Sequence, residues 1–192
     1  MTKIIAGMTM SLDGYINDEE DSGSARYSDF AEVVEDPRMQ ETIRTTGAVL
    51  MGRRTYDMAK NPEDWATYEF QIPLFIVTRN PPKERPPEAG GLSFTFVTDG
   101  IESAVAQAEA AAGGKDVQVV GGARTIQSLL KLGAVDELHI DVTPVLLKGG
   151  TRFFENLDEI QGSLTRVGVD ELPGGLTGLR FRVNRYRKGV LL

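Results

Sequence analysis

A chain of 192 residues, 41% hydrophobic and 26% charged, is long enough for one domain with a full hydrophobic core and short for two. Its formal net charge of −7 argues against nucleic acid or an anionic membrane as the main partner, because both favour a basic surface. The sequence has no cysteine and a single histidine, His139, which excludes disulfides, thiol nucleophiles and cysteine-ligated or multi-histidine metal sites.

The N-terminal segment lacks the features of a secretion signal, because its apolar part is too short and no cleavage pattern follows it. No apolar run approaches the length of a membrane span. The composition therefore predicts a cytoplasmic protein. Its chemistry would have to come from carboxylates, hydroxyls or a bound cofactor.

In the first half of the chain, short β-rich apolar runs alternate with helical patterns. A helical pattern over residues 30–46 is interrupted at Asp36-Pro37, a pair typical of a helix start, with aspartate as the N-cap and proline in the first turn. Residues 80–91 (NPPKERPPEAGG) are dominated by proline and glycine and predict a surface loop. Strands are predicted at residues 3–10, 48–51 and 73–78.

The second half predicts helices at residues 101–112 and 123–132, and strands at residues 94–97, 117–120, 137–142, 164–169 and 179–186. Strand–helix alternation followed by a β-rich end predicts an α/β domain with a mixed, mainly parallel sheet covered by helices on both faces. The closing strands are expected to pair antiparallel at an edge. We interpret the arginine-rich residues 180–188 as that edge, and as a candidate for pairing across a dimer.

Two segments place glycine between a buried strand and a helix. In VQVVGGARTIQSLL, residues 117–130, Gly121 and Gly122 precede a helix with Arg124 and Thr125 in its first turn. Glycines let the backbone approach a ligand, and a helix N-terminus offers free N–H groups and a partial positive charge. This pattern predicts a pyrophosphate site, although the glycines alone are equally consistent with a tight connection.

The segment AVLMGRRTYD, residues 48–57, repeats the arrangement with Gly52, Arg53, Arg54 and Thr55. Paired arginines at a helix N-terminus repel the helix dipole unless they share an anion. A solvated surface pair is the commoner explanation of two adjacent arginines. Two such turns with arginine and threonine at matching places favour a ligand with more than one phosphate.

The motifs MGRRTYD, VVGGARTIQSLL and VDELHIDVTPVLLKGGTRFF resemble the cofactor-binding motifs of dihydrofolate reductases. They resemble still more the reductase domain of the bifunctional riboflavin-biosynthesis deaminase/reductases and its stand-alone relatives, and MSLDGYI is similar to that group's first-strand motif. The resemblance implies a single domain over residues 1–192 with a three-layer α-β-α, dihydrofolate-reductase-like fold. It also implies a homodimer that binds NADPH and reduces a small pterin-, pyrimidine- or sugar-derived C=N or C=O substrate.

Carried over residue by residue, the resemblance assigns the cofactor to four groups of residues. The adenosine and phosphate side falls to Gly52, Arg53, Arg54 and Thr55. The pyrophosphate and nicotinamide-ribose side falls to Gly121, Gly122, Ala123, Arg124, Thr125 and Ile126. Thr78 and Arg79 match the adenine and 2′-phosphate site, and Ser11 and Asp13 pass the nicotinamide. Arg79 and Arg124 are the candidates for selecting NADPH over NADH, since a 2′-phosphate favours arginine.

Two carboxylates are candidates for the catalytic acid. Asp36 falls where a folate reductase has its active-site carboxylate, although the N-cap role is the more common one for an Asp-Pro pair. Asp141 would face the same cavity if its strand pairs as in the family. The proton in such a reduction can also come from solvent.

Departures from the family pattern determine which other functions remain as alternatives to the NADPH-dependent reductase. The deaminase half needs zinc ligands, usually cysteines, and the chain has none, so only the reductase step remains. Residues 71–73 supply no arginine for a folate tail, and the Trp-Pro active-site loop is missing between Asp18 and Tyr27. A genuine dihydrofolate reductase is thus the weaker enzymatic alternative. A nucleotide-binding protein without catalysis is the non-enzymatic one.

Overall fold

The computed structural model describes residues 2–18, 30–59, 61–155, 157 and 164–184. The prediction for the loop between Asp18 and Tyr27 and the last part of the arginine-rich segment, residues 185–188, therefore lie outside the described residues. None of the helices in the described ranges combines the length and hydropathy that crossing a membrane requires.

The described elements follow one another in an alternating α/β order. They are β1 (Ile4–Ser11), β2 (Tyr15–Asn17), α1 (Phe30–Glu35), α2 (Pro37–Thr45), β3 (Thr46–Gly52), α3 (Arg53–Tyr56), a 3₁₀ helix (Pro62–Thr67), β4 (Pro73–Val77), β5 (Ser93–Val97), α4 (Ile101–Ala111), β6 (Asp116–Val119), α5 (Ala123–Lys131), β7 (Glu137–Thr143), β8 (Thr151–Arg152), β9 (Leu164–Leu172), a second 3₁₀ helix (Pro173–Gly175) and β10 (Leu176–Val183).

Eight strands form one sheet in the order β5-β4-β3-β6-β1-β7-β10-β9. The strands from β5 to β7 pair in parallel, and β10 is antiparallel to both β7 and β9. The predicted mixed, mainly parallel sheet with an antiparallel edge is confirmed. Strands β2 and β8 form a separate antiparallel pair.

The prediction that residues 180–188 form the sheet edge is wrong for the described part of that segment. Strand β10 lies between β7 and β9, so its backbone groups are paired on both sides. The chain enters through β9, turns at Pro173–Gly175 and returns along β10. The edge position therefore belongs to β9, because the later strand of this hairpin is the one inserted beside β7.

Helices cover the sheet on both faces, but unequally. On one face α4 and α5 pack on the central strands through a cluster of buried apolar residues, among them Ile4, Ala6, Ala104, Ala108, Ile126, Leu129 and Leu138. On the other face α2, α3 and the first 3₁₀ helix lie over β3, β4 and β5, and their core includes Val49, Met51, Tyr56, Trp65, Phe70 and Leu74. Helix α2 has no fully buried residue, so its attachment by apolar packing is partial.

The rest of this second face is polar. Side chains alternate between the two faces of a strand, and the pairing register brings polar residues and glycines of five strands together. We call this surface the polar face. Its residues are Gln118 of β6, Gly7 and Thr9 of β1, Glu137, His139 and Asp141 of β7, Gly178 and Arg180 of β10, and Gly168 and Asp170 of β9.

Candidate functional site

The two glycine turns predicted from the sequence meet in the structure. Strands β3 and β6 are parallel neighbours, so their carboxyl ends lie at the same edge of the sheet. The Gly52 N–H donates to the Gly121 carbonyl at 2.9 Å. A Cβ atom placed on Gly52 would lie 2.5 Å from Oγ1 of Thr125, and one on Gly121 would lie 3.2 Å from Oγ1 of Thr55. Each threonine thus reaches across to the opposite turn through space that a side chain would fill.

Gly121 has a second reason to be glycine. Its φ of +113° lies in a region that residues with a Cβ rarely adopt. The peptide bond between Gly121 and Gly122 is cis. Helix α5 starts directly after this turn, so its first N–H groups lie next to the junction of the two glycine turns.

The junction opens into a cavity of about 1370 Å³. Drug-sized ligand pockets occupy roughly 300–1,000 Å³, so this volume is enough for a ligand larger than one small molecule. From the two turns the wall contains Gly52, Arg53, Arg54, Thr55, Gly121, Gly122, Ala123, Arg124 and Thr125. From α2 and the polar face it contains Asp36, Arg38, Gln118, His139, Asp141, Asp170 and Arg180. Most of the predicted site residues therefore border one space.

The arginines of the two turns are not equivalent. Nε of Arg53 donates to both carboxylate oxygens of Asp57, at 2.8 and 2.9 Å, and its guanidinium also donates to the Asn80 carbonyl. The same group lies 5.9 Å from the ring centroid of Tyr56. Arg53 is thus held between α3 and the loop after β4. Arg124 is exposed in the first turn of α5 and borders the cavity, so its position suits a contact with an anionic ligand.

Three residues predicted to contact the cofactor lie away from the cavity wall. Oγ1 of Thr78 accepts a hydrogen bond from the Asn80 N–H at 3.1 Å and also contacts the Asn80 carbonyl at 3.2 Å, which closes a turn. Arg79 is exposed in the same turn and does not border the cavity. Ile126 is fully buried in the core between α5 and the sheet. Contacts of these three residues with a cofactor stay predictions.

Ser11 and Asp13 also lie off the wall, where they tie two loops together. The Ser11 hydroxyl donates to Asp13 at 2.6 Å and accepts from the Tyr15 N–H at 3.0 Å. The other bonds to Asp13 come from the N–H groups of Leu147 and Lys148, at 3.1 and 2.8 Å. The hydrogen bond from Ser11, together with these backbone donors, lowers the pKa of Asp13 to about 2. This carboxylate holds the backbone of the two loops together, and its predicted contact with a nicotinamide stays a prediction.

Asp141 lies at the centre of the polar face, beside Thr9 of β1 and Gly178 of β10. A Cβ on Gly178 would lie 3.3 Å from Oδ1 of Asp141 and 3.1 Å from Nη1 of Arg38, so these two groups meet over the glycine. Burial raises the pKa of Asp141 to about 6, and the charge of Arg38 only partly opposes that effect. Asp141 is therefore a carboxyl group that exchanges its proton near neutral pH.

Asp36 caps α2 and also borders the cavity, while its role as a catalytic acid stays a prediction. Its Oδ1 accepts from the Arg38 N–H at 2.9 Å, so the N-cap of α2 is confirmed, and α2 begins at Pro37 as the sequence predicts. The same oxygen pairs with Nε of Arg38 at 3.1 Å. Arg38 in turn pairs with Asp170 at 3.3 Å, and Arg180 pairs with Asp170 at 3.0 Å. Asp36 borders the cavity as one end of this ion-pair chain.

The other members of this ion-pair chain, Arg38, Asp170 and Arg180, were not predicted as site residues from the sequence. No motif marks them, because they come from α2 and from the last two strands. Trp65 in the first 3₁₀ helix and Phe70 after it are buried in the core and also border the cavity.

Tyr68 and Glu69, which directly follow the first 3₁₀ helix, contribute buried polar atoms near the cavity. The Tyr68 hydroxyl is buried and has no hydrogen-bond partner among the described residues, and burial raises its pKa well above the ordinary value. Burial also raises the pKa of the neighbouring Glu69. Both residues border the cavity. Tyr68 therefore carries a neutral, buried hydroxyl next to the cavity.

The family model of the RibD C-terminal domain matches residues 2–177. The chain belongs to the RibD C-terminal domain family. An uncharacterized protein of Bacillus subtilis strain 168, YwjB, is 27% identical over 155 residues, which are 81% of this chain and 84% of that protein. The resemblance read from the glycine-turn motifs is thereby confirmed.

Solved structures agree with this assignment. A putative riboflavin biosynthesis protein from Shewanella sp. PV-4 superposes with a TM-score of 0.75 and 22% identity, over 96% of this chain and all of the other. The deaminase/5-amino-6-(5-phosphoribosylamino)uracil reductase of Thermotoga maritima gives a TM-score of 0.66 at 14% identity, over 94% of this chain. This chain spans 56% of the Thermotoga protein. These similarities confirm the predicted dihydrofolate-reductase-like fold.

The RibD C-terminal domain match covers both glycine turns, Asp36 and Asp141, and ends at residue 177. Arg180 and all but the first two residues of β10 lie beyond it. The ion-pair chain on the polar face therefore includes a residue outside the part of the chain that the family model describes.

Proposed function

We propose that this protein is an NADPH-dependent reductase of a small substrate with a C=N or C=O bond. One observation carries the proposal: the two joined glycine turns and the carboxyl group of Asp141 border the same cavity. The turns offer close backbone approach and a helix N-terminus for phosphates. Asp141 offers a proton close to neutral pH.

The residues present fit a dinucleotide. The absence of a Cβ at Gly52 and Gly121 leaves room for the Thr125 and Thr55 hydroxyls at the junction of the two turns, and the first N–H groups of α5 lie beside it. Arg124 would pair with a phosphate of the cofactor, and Thr55 and Thr125 would supply hydroxyls to it. NADPH, when bound, supplies the hydride.

The role of the polar face is to hold the substrate and to provide the proton. Asp141, in its protonated form, would donate to the substrate nitrogen or oxygen as its carbon receives the hydride, which leaves a carboxylate and NADP⁺. Arg38 then stabilises that carboxylate, since its charge favours the ionised form of Asp141. The first substrate to test is 5-amino-6-(5-phosphoribosylamino)uracil, because the Thermotoga neighbour is named as a reductase of that compound.

Folate reduction is less well supported. Gln71 is in the segment where folate reductases have an arginine that pairs with the folate tail. Its side-chain amide donates to the Trp65 and Tyr68 carbonyls at 3.0 and 2.7 Å. A neutral amide committed to backbone carbonyls offers no charge to a folate carboxylate. Turnover of dihydrofolate at a rate comparable with that of the pyrimidine substrate would overturn this ranking.

Fluorescence titration with NADPH and, separately, with NADH tests the proposal first. We expect NADPH to bind with a Kd on the order of micromolar, within the usual range for enzyme ligands. NADH should bind roughly 10–100-fold more weakly, because it lacks the 2′-phosphate and its charge-assisted hydrogen bonds. If neither nucleotide binds, the glycine turns have another role and the reductase proposal fails.

Arg124→Ala is expected to weaken NADPH binding about 10–100-fold while changing NADH binding little, since a charge-assisted contact contributes roughly 1.5–3 kcal/mol. The same titration measures it. Lys131→Ala, an exposed cation in the last turn of the same helix, is the matched control and should leave both affinities unchanged. Arg79→Ala tests the second candidate for the 2′-phosphate. An equal loss of both nucleotides in Arg124→Ala would mean that Arg124 does not select between them.

A further inference from the structure

The floor of the cavity is built from polar side chains that lie flat over glycines. A Cβ on Gly7 would lie 2.7 Å from Nε2 of Gln118, and one on Gly168 would lie 2.8 Å from the guanidinium of Arg180. Gly178 makes room for Asp141 and Arg38 in the same way. Because these positions have no side chains, the amide and guanidinium groups of neighbouring strands lie along the sheet surface.

Gln118 is unusual within this floor. It is only 7% exposed, in a strand whose other core positions are apolar. Its Oε1 is buried and accepts no hydrogen bond from any described residue. A buried carbonyl without a donor is unfavourable, and native proteins retain few of them.

The donors around Gln118 are engaged elsewhere. His139, which pairs with Gly7 across the sheet, contacts Glu137 through Nε2 at 3.1 Å. Lys3 donates to the same carboxylate at 2.8 Å. The guanidinium groups of Arg38 and Arg180 pair with the carboxylates of the ion-pair chain. None of these described side chains donates a hydrogen bond to Oε1.

The amide of Gln118 also lies close to the proposed proton donor. Nε2 is placed over Gly7, and the next residue of β1 on this face, Thr9, is the register partner of Asp141. Two residues along a strand span about 7 Å and neighbouring strands lie about 4.8 Å apart, so Gly7 and Asp141 are roughly 8 Å apart. A ring the size of a pyrimidine, resting on the floor, therefore reaches both Gln118 and Asp141.

We infer that Gln118 is a specificity-determining residue on the substrate side of the cavity: its Oε1 accepts a hydrogen bond from a ring N–H group of the bound substrate. The inference rests on the proposed function for the nature of the ligand. Gln118 holds and selects the ring, and Asp141 handles the proton. Ligands whose ring nitrogens are alkylated leave Oε1 unpaired and are rejected, as sites built for a polar group reject analogues that lack it.

Calorimetric titration with two probes tests the inference, namely 5,6-diaminouracil and its 1,3-dimethyl derivative, in which methyl groups replace both ring N–H hydrogens. We expect the wild-type protein to bind the unmethylated compound at least about 10-fold more tightly. Gln118→Met, which keeps the length of the side chain and removes the amide, should abolish that preference. Its NADPH affinity should stay within about twofold of wild type.

Thermal stability separates this role from a structural one. Gln118→Met should leave the Tm of the ligand-free protein unchanged or raise it, because it removes an unpaired buried carbonyl. The matched control is Gln127→Met: Gln127 is equally buried, but its amide donates to the Phe153 carbonyl at 2.8 Å, so this variant should lower the Tm. Gly7→Ala gives an independent test, since its methyl group displaces the Gln118 amide and should likewise remove the preference.

A preference that survives in Gln118→Met and Gly7→Ala, or a wild-type protein that binds neither probe, overturns the inference. The two proposals fail separately. If NADPH does not bind but the preference depends on Gln118, the reductase proposal falls and the role of Gln118 stands. If NADPH binds with the expected selectivity and the preference is independent of Gln118, only the present inference falls.

Discussion

Gly52→Ala is expected to lower kcat/KM for NADPH oxidation about 100-fold, and to weaken NADPH and NADH equally. The new Cβ would lie 2.5 Å from Oγ1 of Thr125, so the hydroxyl must move and the two glycine turns must separate. A displacement of the order of 1 Å at a positioning element costs roughly that factor in rate. The φ of Gly52 is −82°, which alanine adopts without strain, so the fold should persist. Steady-state kinetics and circular dichroism measure the two effects.

The control is a double-mutant cycle with Thr125→Ala. If the collision with Oγ1 is the cause, Gly52→Ala and Thr125→Ala together should be no worse than Thr125→Ala alone, because the second change removes the atom in the way. Additive losses would contradict this explanation. They would show that the methyl group itself obstructs the ligand.

Asp141→Asn is expected to lower kcat by about 10²–10⁴, the usual contribution of a general acid, while leaving NADPH affinity unchanged. In the wild-type protein, activity should fall as the pH rises through about 6, because the protonated form of Asp141 is the donor. The variant should lose that limb of the pH profile. A profile that is the same in both proteins would remove Asp141 from the proton-transfer step.

The same substitution is expected to stabilise the folded protein at pH 7. The pKa of Asp141 is about 6 in the folded protein, whereas a solvent-exposed aspartate, as in the unfolded chain, has a pKa of 3.8. The unfolded chain therefore releases this proton at a lower pH than the folded protein does. Stability is therefore lost as the pH rises from about 4 to 6, by a total of about 3 kcal/mol. Asparagine does not titrate, so thermal unfolding at pH 7 should occur several degrees higher than in wild type. At pH 4 the difference in Tm should largely vanish.

The fold and the two joined glycine turns could be predicted from the sequence because their signals are local. A strand, a glycine and a helix lie within ten residues of each other at Gly52 and again at Gly121. Parallel strands place such turns at one sheet edge without further information. The N-cap at Asp36 is equally local, since its acceptor and donor are two residues apart.

The polar face could not be predicted in the same way. Asp141 and Asp170 are brought to one face by the strand order, in which β10 is inserted between β7 and β9, and Arg38 of α2 meets them there. A hydrophobic pattern identifies a strand but not its neighbours, which is also why the edge was assigned to the wrong strand of the final hairpin. Ile126 lies near the start of α5, close to the glycine junction, but the helical period points its side chain into the core.

The attachment of α2 bears on how the cavity responds to its surroundings. Helix α2 has no fully buried residue, and Arg38 near its N-terminus joins it to the sheet edge through Asp170. Partly exposed ion pairs weaken as dissolved salt screens them over a Debye length of about 10 Å or less. The distance between this helix and the polar face is thus set in part by charge attraction, and the ionic strength of the medium becomes one of the factors that define the shape of the cavity at the polar face.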